Sequence, residues 1–496
     1  MKNKVYFGFL LLVFTVLSVT MISNHELWRD EGHAWLIIQS AGSLPALFNA
    51  MRYDGTPALW HTILYPFAIT GQPVIWMSII HFVIIFCAVI LFLLKSPFTN
   101  LQKTLFIFGY YIFYEYSAIA RSYSLTVLLL FVTAVVFKDR FKKPLLYFGI
   151  LSLLANANLH SLCIALTLTG FYVYELKKDK LALTPRVFSA FVLFAVVFLF
   201  CIYQLYPPAD LTRSLSGWKG SNLSTTLNTL VSAFLPVQIP KLNFWNTKLV
   251  YYPDTVRSWL GIPLYLLSLL VFVRKPKALG VYLVSSFSLL LLFAAKYGGS
   301  ARHHGLIFIL FIFSLWISTC YKDRAIFSGK KLKTFFTARL AGALLTSLLV
   351  IQVIASPIPF YFDLKYDFSA GKKAADYLKA ERLLGEDTFI CVYDFFCAES
   401  ILPYTDKAFY SIENERFERS IIFNTGCDKA YETPVSYKTG RINEVIKGKN
   451  YRQIIYISNS EITDTTFQKD YDLLKSLTGT IVNNESYYIY QKRRNE

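Results

Sequence analysis

The chain opens with the stretch VYFGFLLLVFTVLSVTMI, residues 5–22, followed directly by SNHELWRDEGH, residues 23–33. The first part is apolar throughout, and a helix of about 20 apolar residues crosses the ~30 Å hydrocarbon core of a bilayer. No A-x-A-like cleavage site follows it, which favours a retained anchor over a signal peptide. The second part contains acids, histidines and an arginine, so ionisable side chains are expected at the far end of the anchor.

Similar apolar runs continue through two thirds of the sequence. With 496 residues and 54% hydrophobic composition, the chain exceeds what one soluble core can bury. We therefore predict a polytopic α-helical membrane protein with about eleven transmembrane helices. The predicted spans are 5–22, 74–94, 104–118, 122–137, 144–158, 161–175, 187–205, 259–273, 278–295, 305–320 and 338–355.

The net charge of +18 is not spread evenly along the chain. Basic residues collect in every second connection, which indicates cytoplasmic loops rather than a nucleic-acid surface. This pattern predicts a multi-pass protein of the inner or plasma membrane, with a cytoplasmic N-terminus and an extracytoplasmic segment after residue 356. The basic connections are Lys2 and Lys4, Lys95 and Lys103, 138–143, 177–186, 274–277 and 321–333.

Two domains follow from the change in composition near residue 356. Residues 1–355 form the predicted membrane domain, with a first outer loop at 23–73 that contains surface helices and a second at 206–258. Residues 356–496 read as a soluble α/β domain, because strand-like and helix-like segments alternate. Its predicted helices are 371–384 and 467–477, and its predicted strands are 388–393, 453–458 and 487–491.

The three cysteines of this outer domain are Cys391, Cys397 and Cys427. In an oxidising compartment, one disulfide and one free thiol is the simplest expectation for three cysteines.

Ionisable residues gather at the outer boundary of the predicted membrane domain. A charge at the bilayer centre costs up to ~3 kcal/mol, so such groups persist where they are paired or line a wet cavity. Solvated loop acids, interface-anchoring histidines and a snorkelling arginine are the alternative interpretations. The layer comprises His25, Asp30, Glu31, His33, Asp54, His61, Glu115, Arg121, His160, Arg302, His303 and His304.

Four motifs in this layer, taken in order, resemble the GT-C superfamily of membrane glycosyltransferases, which includes protein O-mannosyltransferases and aminoarabinose transferases. Asp30-Glu31-Gly32-His33 is similar to the D-E-x-H that follows the first span in the mannosyltransferases. Residues 54–61, DGTPALWH, are similar to the H-P-P-L-Y-like signature. Glu115-Tyr116 with Ala120-Arg121-Ser122-Tyr123 resembles the next motif, and Arg302 stands where a family arginine holds the carrier phosphate.

The resemblance implies an inverting enzyme that moves a sugar from a polyprenyl-phosphate donor to an extracytoplasmic glycan, lipid or protein. Asp30 would be the catalytic base, with Glu31 as its catalytic partner. Asp54 and His61 would order the loop or hold a divalent cation, although Thr56 departs from the family pattern by standing where many relatives carry histidine. The donor phosphate would contact Arg121, Arg302, His303 and His304. The remaining substrate contacts would be His33, Asp54, His61, Glu115, Tyr123 and His160.

Three other functions stay open. A transporter or flippase would place its polar residues at the bilayer midplane and often in repeated halves, whereas here they cluster at one face. A lipid-linked polysaccharide ligase would also use outer arginines and histidines. A receptor-like protein would leave the ionisable layer unexplained.

Overall fold

We describe a computed structural model of the chain, in which residues 2–212, 215, 220, 223–247, 254–323, 338–431 and 434–493 are placed. Parts of two predicted features lie outside these described residues. They are residues 213–214, 216–219, 221–222 and 248–253 of the second outer loop, and residues 324–333 of the last basic connection.

The described part of residues 2–365 is helical. The helices are α1 (Lys2–Asn24), α2 (Arg29–Ala41), α3 (Leu44–Asp54), α4 (Leu59–Ala68), α5 (Ile75–Lys95), α6 (Asn100–Ile107), α7 (Tyr123–Val136), α8 (Pro144–Ala155), α9 (Leu159–Lys178), α10 (Pro185–Leu205), α11 (Leu223–Phe234), α12 (Asp254–Leu270), α13 (Pro276–Ala295), α14 (Ala301–Ser318), α15 (Ala338–Ala355) and α16 (Pro357–Lys365).

Within the described residues, seven helices are long and apolar enough to cross a membrane. They are Asn3–Asn24, Ile75–Lys95, Leu159–Lys178, Pro185–Leu205, Pro276–Ala295, Ala301–Ser318 and Ala341–Lys365, and the shorter apolar helices Pro144–Ala155 and Trp259–Leu270 accompany them. A polytopic helical protein is therefore confirmed, while the count of eleven spans stays a prediction.

The predicted span 104–118 is not one continuous helix. Helix α6 ends at Ile107, and a π-helical turn, Tyr111–Glu115, follows it. The π-helix pattern is rare and often marks a functional position. Here it carries a carboxylate, Glu115, that is buried beside Tyr110 and Trp245.

Helix α2 lies between the membrane domain and the C-terminal domain. Trp35, Ile37 and Ile38 belong to the core of the membrane domain. Leu36, on another side of the same helix, is buried in the core of the C-terminal domain. Because both faces are covered, the segment that carries Asp30 is held from two sides.

The C-terminal domain is an α/β fold around one six-stranded sheet with strand order β3-β2-β1-β4-β6-β5. Strand β1 pairs in parallel with β2 and β4, whereas the β2–β3, β4–β6 and β5–β6 pairs are antiparallel. The strands are β1 (Thr388–Val392), β2 (Phe409–Ser411), β3 (Arg416–Glu418), β4 (Gln453–Ser458), β5 (Tyr471–Leu477) and β6 (Tyr487–Lys492). The helices are α17 (Gly371–Ala380), α18 (Phe395–Ala398), α19 (Thr425–Tyr431), α20 (Val435–Ile446) and α21 (Thr465–Asp470).

The three predicted strands and the helix near residue 371 agree with this fold, but the predicted helix 467–477 is wrong. Helix α21 ends at Asp470, and the chain continues as strand β5. Strand β5 is the edge strand of the sheet, paired with β6 alone. Pairing with β6 outweighs the helical spacing of the segment, and tertiary context commonly overrides such local signals.

The expected disulfide is also absent, since all three cysteines of this domain are free thiols. Each thiol has a different neighbour. Cys391 lies against the Ile455 carbonyl in the sheet, Cys397 contacts Arg29, and Cys427 lies near the Ile422 carbonyl.

Candidate functional site

Two helix N-termini converge at the boundary between the membrane domain and the C-terminal domain. Helix α2 begins at Arg29, and helix α14 begins at Ala301. The dipole of a helix N-terminus favours negative charge, and the first N–H groups of these two helices already donate to the side chains of Glu485 and Asn246. This convergence makes the boundary a candidate anion site.

Arg302 and Asp30 form an ion pair at this point. Nη2 of Arg302 donates to Oδ2 of Asp30 at 3.1 Å, with side-chain exposures of 11% and 20%. The guanidinium carbon lies 4.9 Å from the Trp28 ring and 5.5 Å from the Trp245 ring. Two aromatic faces therefore fix a partly buried cation through cation–π contacts. Buried Nε of Arg302 has no hydrogen-bond partner among the described residues.

A cavity of about 300 Å³ opens beside this pair, a volume at the lower end of small-molecule sites. Its walls come from the first outer loop, the second outer loop, the start of α14 and the C-terminal domain. The lining residues are Trp28, Arg29, Asn243, Trp245, Asn246, Ser300, Arg302, Ile481, Val482, Asn483 and Asn484. Aromatic rings, four amide side chains and two guanidinium groups suit a polar ligand that carries negative charge.

The C-terminal domain holds Arg29, the second arginine of this cavity. Its guanidinium carbon lies 5.1 Å from the Phe396 ring centroid, and Nη1 lies 3.4 Å from Cys397 Sγ. With its amide oxygen turned toward Arg29, Asn484 accepts from Nη2 at 3.0 Å. The backbone N–H of Arg29 donates to Glu485, whose pKa burial raises to about 7. The site thus depends on both domains.

The second outer loop is hydrogen-bonded to the C-terminal domain beside the cavity. The Asn243 amide donates to the carbonyl oxygens of Thr480 at 2.9 Å and Ile481 at 3.1 Å. The loop that contains Trp245 is therefore hydrogen-bonded to the loop that contains Asn484.

Glu31 points away from the cavity and is fully buried. Its carboxylate accepts hydrogen bonds from the backbone N–H groups of Trp28, at 3.1 Å, and Ala120. His25 bridges Glu31 and Asp363, at 3.4 and 2.9 Å. Burial lowers the pKa of His25, but the two carboxylates outweigh it and raise the pKa to about 10. In this arrangement Glu31 holds the start of α2 in place.

His33 joins the membrane domain to the C-terminal domain. Its Nδ1 lies 2.7 Å from Oε2 of Glu399, and its Nε2 lies 3.8 Å from Oδ1 of Asp54. Burial lowers the pKa of His33, but the Glu399 carboxylate more than offsets it and raises the pKa to about 9. His33 is therefore a cation at neutral pH. Nearby His61 is neutral, because burial and the Arg121 charge lower its pKa to about 3.

Glu115 and Arg121 contact residues of the site from outside the cavity. Glu115 accepts hydrogen bonds from the Tyr110 hydroxyl at 2.7 Å and from the Trp245 indole at 3.4 Å. It therefore positions one of the two rings that contact Arg302. Arg121 donates to the backbone carbonyl of Asp30 and so fixes the backbone of the predicted base. Neither side chain lines the cavity.

Tyr123, His160 and His303 form an aromatic cluster. The His303 ring lies 5.3 Å from Tyr123 and 5.1 Å from His160 between centroids. His303 Nδ1 accepts from the Ser300 backbone N–H at 2.9 Å and caps α14, while His160 Nε2 lies 2.9 Å from the Tyr297 hydroxyl. His304 lines a neighbouring cavity of about 220 Å³ that shares Asn246 and Ser300 with the first.

Of the predicted residues, Arg302 lines the cavity and Asp30 pairs with it. His33, Asp54 and His61 lie near one another outside the cavity lining, and Arg121 contacts the Asp30 backbone. Sequence reasoning missed Arg29, Trp245, Asn243, Asn484 and Glu485. Arg29 directly precedes Asp30, and its position beside that motif could have identified it. The other four residues lie in the second outer loop and the C-terminal domain, in segments without a motif.

No family model matches this chain, and no curated protein matches it at a significant level.

Proposed function

We propose that this chain is a membrane glycosyltransferase of the GT-C kind, which moves a sugar from a polyprenyl-phosphate donor to an extracytoplasmic acceptor with inversion. One observation carries the proposal. Two arginines and two helix N-termini converge on one cavity where the helical membrane domain meets the C-terminal domain, and a carboxylate lies 3.1 Å from one of these arginines.

The charge of the cavity suits a phosphate better than a neutral ligand. Arg302 offers a forked donor face, and its Nε hydrogen has no partner among the described residues. Fixed guanidinium groups bind phosphate oxygens bidentately. As the sugar–phosphate bond breaks, the negative charge on the leaving phosphate grows, and cations already in place stabilise it without reorganisation.

Asp30 is the proposed base, and its pairing with Arg302 means that the donor binds before the acceptor is deprotonated. A donor phosphate that binds Arg302 competes with the Asp30 carboxylate and releases it. The acceptor hydroxyl oxygen then attacks the anomeric carbon, its proton passes to Asp30, and the bond to the phosphate oxygen breaks. A positioned general base contributes about 10²- to 10⁴-fold to such a step.

Glu31 has a positioning role in this proposal rather than a catalytic one, because its oxygens already bind the protein. His33, Asp54, His61, Glu115, Tyr123 and His160 are proposed to shape the acceptor side and to support Asp30.

A divalent cation stays part of the proposal, with Asp54 and His61 as the residues that would hold it and His33 outside that set. His33 is protonated by its pairing with Glu399, and a metal ligand must be neutral imidazole. Among the described residues, no group of three or more His, Cys, Asp and Glu side chains is arranged around a metal position.

The proposal includes an orientation. Basic connections place the N-terminus in the cytoplasm and the cavity outside, in the inner or plasma membrane. Nucleotide sugars are confined to the cytoplasm, so a donor delivered on a membrane lipid suits a site at this face.

The test is transfer from polyprenyl-phosphate sugars to envelope extracts by the purified full-length protein. We expect wild-type turnover, and loss of nearly all of it in Asp30→Asn at unchanged expression. Asp376→Asn, an exposed carboxylate of the C-terminal domain, is the matched control. Equal activity of wild type and Asp30→Asn would remove Asp30 as the base. A requirement for a diphosphate-linked oligosaccharide as donor would instead favour a polysaccharide ligase.

A further inference from the structure

A third, larger cavity lies at the opposite end of the membrane domain, between α9 and α13. Its volume is about 1060 Å³, more than three times that of the candidate active site. Its lining residues are Leu166, Thr167, Gly170, Phe171, Tyr174, Lys178, Asp179, Pro276, Lys277, Val284, Cys320, Tyr321 and Lys322. None of the predicted site residues is among them.

The long axis of this groove matches one leaflet of a bilayer. On α9 the lining residues repeat every three to four positions from Leu166 to Lys178, so they form one helix face. At 1.5 Å per residue this face is about 18 Å long, close to half of a ~30 Å hydrocarbon core. Leu166 and Val284, at its deep end, are 41% and 47% exposed, so the groove is open to lipid.

The floor of the groove is set by a close helix contact. A Cβ on Gly280 of α13 would stand 2.6 Å from the Phe171 ring, so the helices meet tightly there. Gly170, the residue before Phe171 on α9, has no atom of the described residues within 4 Å of the position of its absent Cβ. The groove therefore has a closed floor and an empty wall where a chain can lie.

The mouth of the groove is basic. Lys178, Lys277 and Lys322 line it, with Asp179 as the one acid among the lining residues. Lys277 is already neutralised, at 3.1 Å from both Glu175 and Asp179. Lys178 donates to the Tyr174 hydroxyl at 2.6 Å, which orients its ammonium group at the mouth. Lys178 and Lys322 are exposed and supply positive charge for a ligand.

We propose that this groove binds one anionic phospholipid of the leaflet that faces the basic connections. Its phosphate would lie between Lys178 and Lys322, with the Tyr174 and Tyr321 hydroxyls in reach, and one acyl chain would pass Gly170 toward Leu166 and Val284. Basic pockets between transmembrane helices at this face suit anionic head groups, each nearby lysine contributing ~1 kcal/mol. The site is independent of the proposed glycosyl transfer.

Native mass spectrometry of the full-length protein in detergent, titrated with phosphatidylglycerol or phosphatidylcholine, tests the site. We expect preferential retention of phosphatidylglycerol. Loss of two lysines at ~1 kcal/mol each predicts roughly 30-fold weaker binding in Lys178→Ala/Lys322→Ala. Lys142→Ala/Lys143→Ala removes the same charge from another basic connection outside the groove and should bind as wild type does.

A second variant tests the groove without changing its charge. Gly170→Leu fills the empty wall and suits a helix interior, so the protein should fold while phosphatidylglycerol binding drops about tenfold or more. Unchanged binding in both groove variants, or equal binding of the two phospholipids, overturns the proposal. Tighter binding of polyprenyl monophosphate, lost in the same variants, would assign the groove to a polyprenyl lipid and also overturn it.

Discussion

The carboxylate of Asp30 and the guanidinium of Arg302 are separated by 272 residues in sequence and by 3.1 Å in space. The same guanidinium contacts Trp28, two residues before Asp30, through its ring. Arg302 therefore shares its charge between an acid and two aromatic faces. A phosphate that enters the cavity must compete with Asp30 for it, and this competition can be measured.

Asp30→Asn should bind polyprenyl phosphate more tightly than wild type. The substitution removes the carboxylate that competes for Arg302, and one partly exposed ion pair contributes about 1 kcal/mol or less, so we expect a gain of two- to fivefold. Arg302→Ala should lose at least tenfold in the same assay, and Arg302→Lys should recover only part of it, since lysine lacks the fork. The measurement is equilibrium binding of a fluorescent polyprenyl phosphate to purified protein.

The two substitutions act in opposite directions, which separates the electrostatic effect from damage to the fold. Weaker binding in Asp30→Asn would mean that Asp30 itself contacts the ligand. That result would contradict the proposed competition between Asp30 and the phosphate for Arg302.

Arg29→Gln should weaken binding of the same lipid phosphate by about tenfold while leaving the domain interface intact. Arg29 lines the cavity, and Phe396 and Asn484 hold it in place, so its charge acts at a fixed position. A charge-assisted hydrogen bond contributes about 1.5–3 kcal/mol. Arg52→Gln is the control, because Arg52 lies in a neighbouring surface helix and contacts Tyr203 instead. Equal affinities of Arg29→Gln and wild type would restrict the phosphate site to Arg302.

The sequence predicted the helical membrane fold because each long apolar run is a local signal. The strand segments of the C-terminal domain were found in the same way, by apolar runs at 388–393 and 453–458. The edge strand β5 was missed, since its pairing with β6 is a contact between segments and its own spacing is helical. The break after Ile107 was missed too, because the run 104–118 is dominated by apolar and aromatic residues and its charged residue, Glu115, stands near its end.

The candidate site was predictable only where a motif carried it. Asp30 and Arg302 lie beside spans whose ends could be placed, so their common boundary followed from topology. Asn243, Trp245 and Asn484 belong to the second outer loop and the C-terminal domain, and no local pattern indicates that these segments meet. The same holds for Glu399, which lies in the C-terminal domain and contacts His33 at 2.7 Å.

Gly32→Ala should separate the C-terminal domain from α2. A Cβ at this position would stand 1.7 Å from the Glu399 carbonyl oxygen, a backbone atom that cannot rotate away. Overpacking of this kind costs about 1–3 kcal/mol or more. We expect a lower midpoint of thermal unfolding and faster tryptic cleavage of the C-terminal domain. Gly8→Ala, in α1 with nothing within 4 Å, should leave both unchanged. Identical cleavage rates in the two variants would show that the contact can relax.

The ion pair between His33 and Glu399 should make the stability of the interface depend on pH. The ordinary pKa of histidine is 6.5, and in the folded protein the pKa of His33 is about 9. A raised pKa means that the folded state binds the proton more tightly, so the stabilisation is complete below pH 6.5 and is lost as the pH rises through 9. Its size is on the order of 3 kcal/mol, because each pKa unit corresponds to about 1.4 kcal/mol.

His33→Gln/Glu399→Gln removes both charges and keeps amide groups in place. The difference in unfolding midpoint between wild type and this variant should therefore favour wild type at pH 6 and shrink by pH 9.5. A difference that stays constant over this range would show that His33 is neutral in the folded protein.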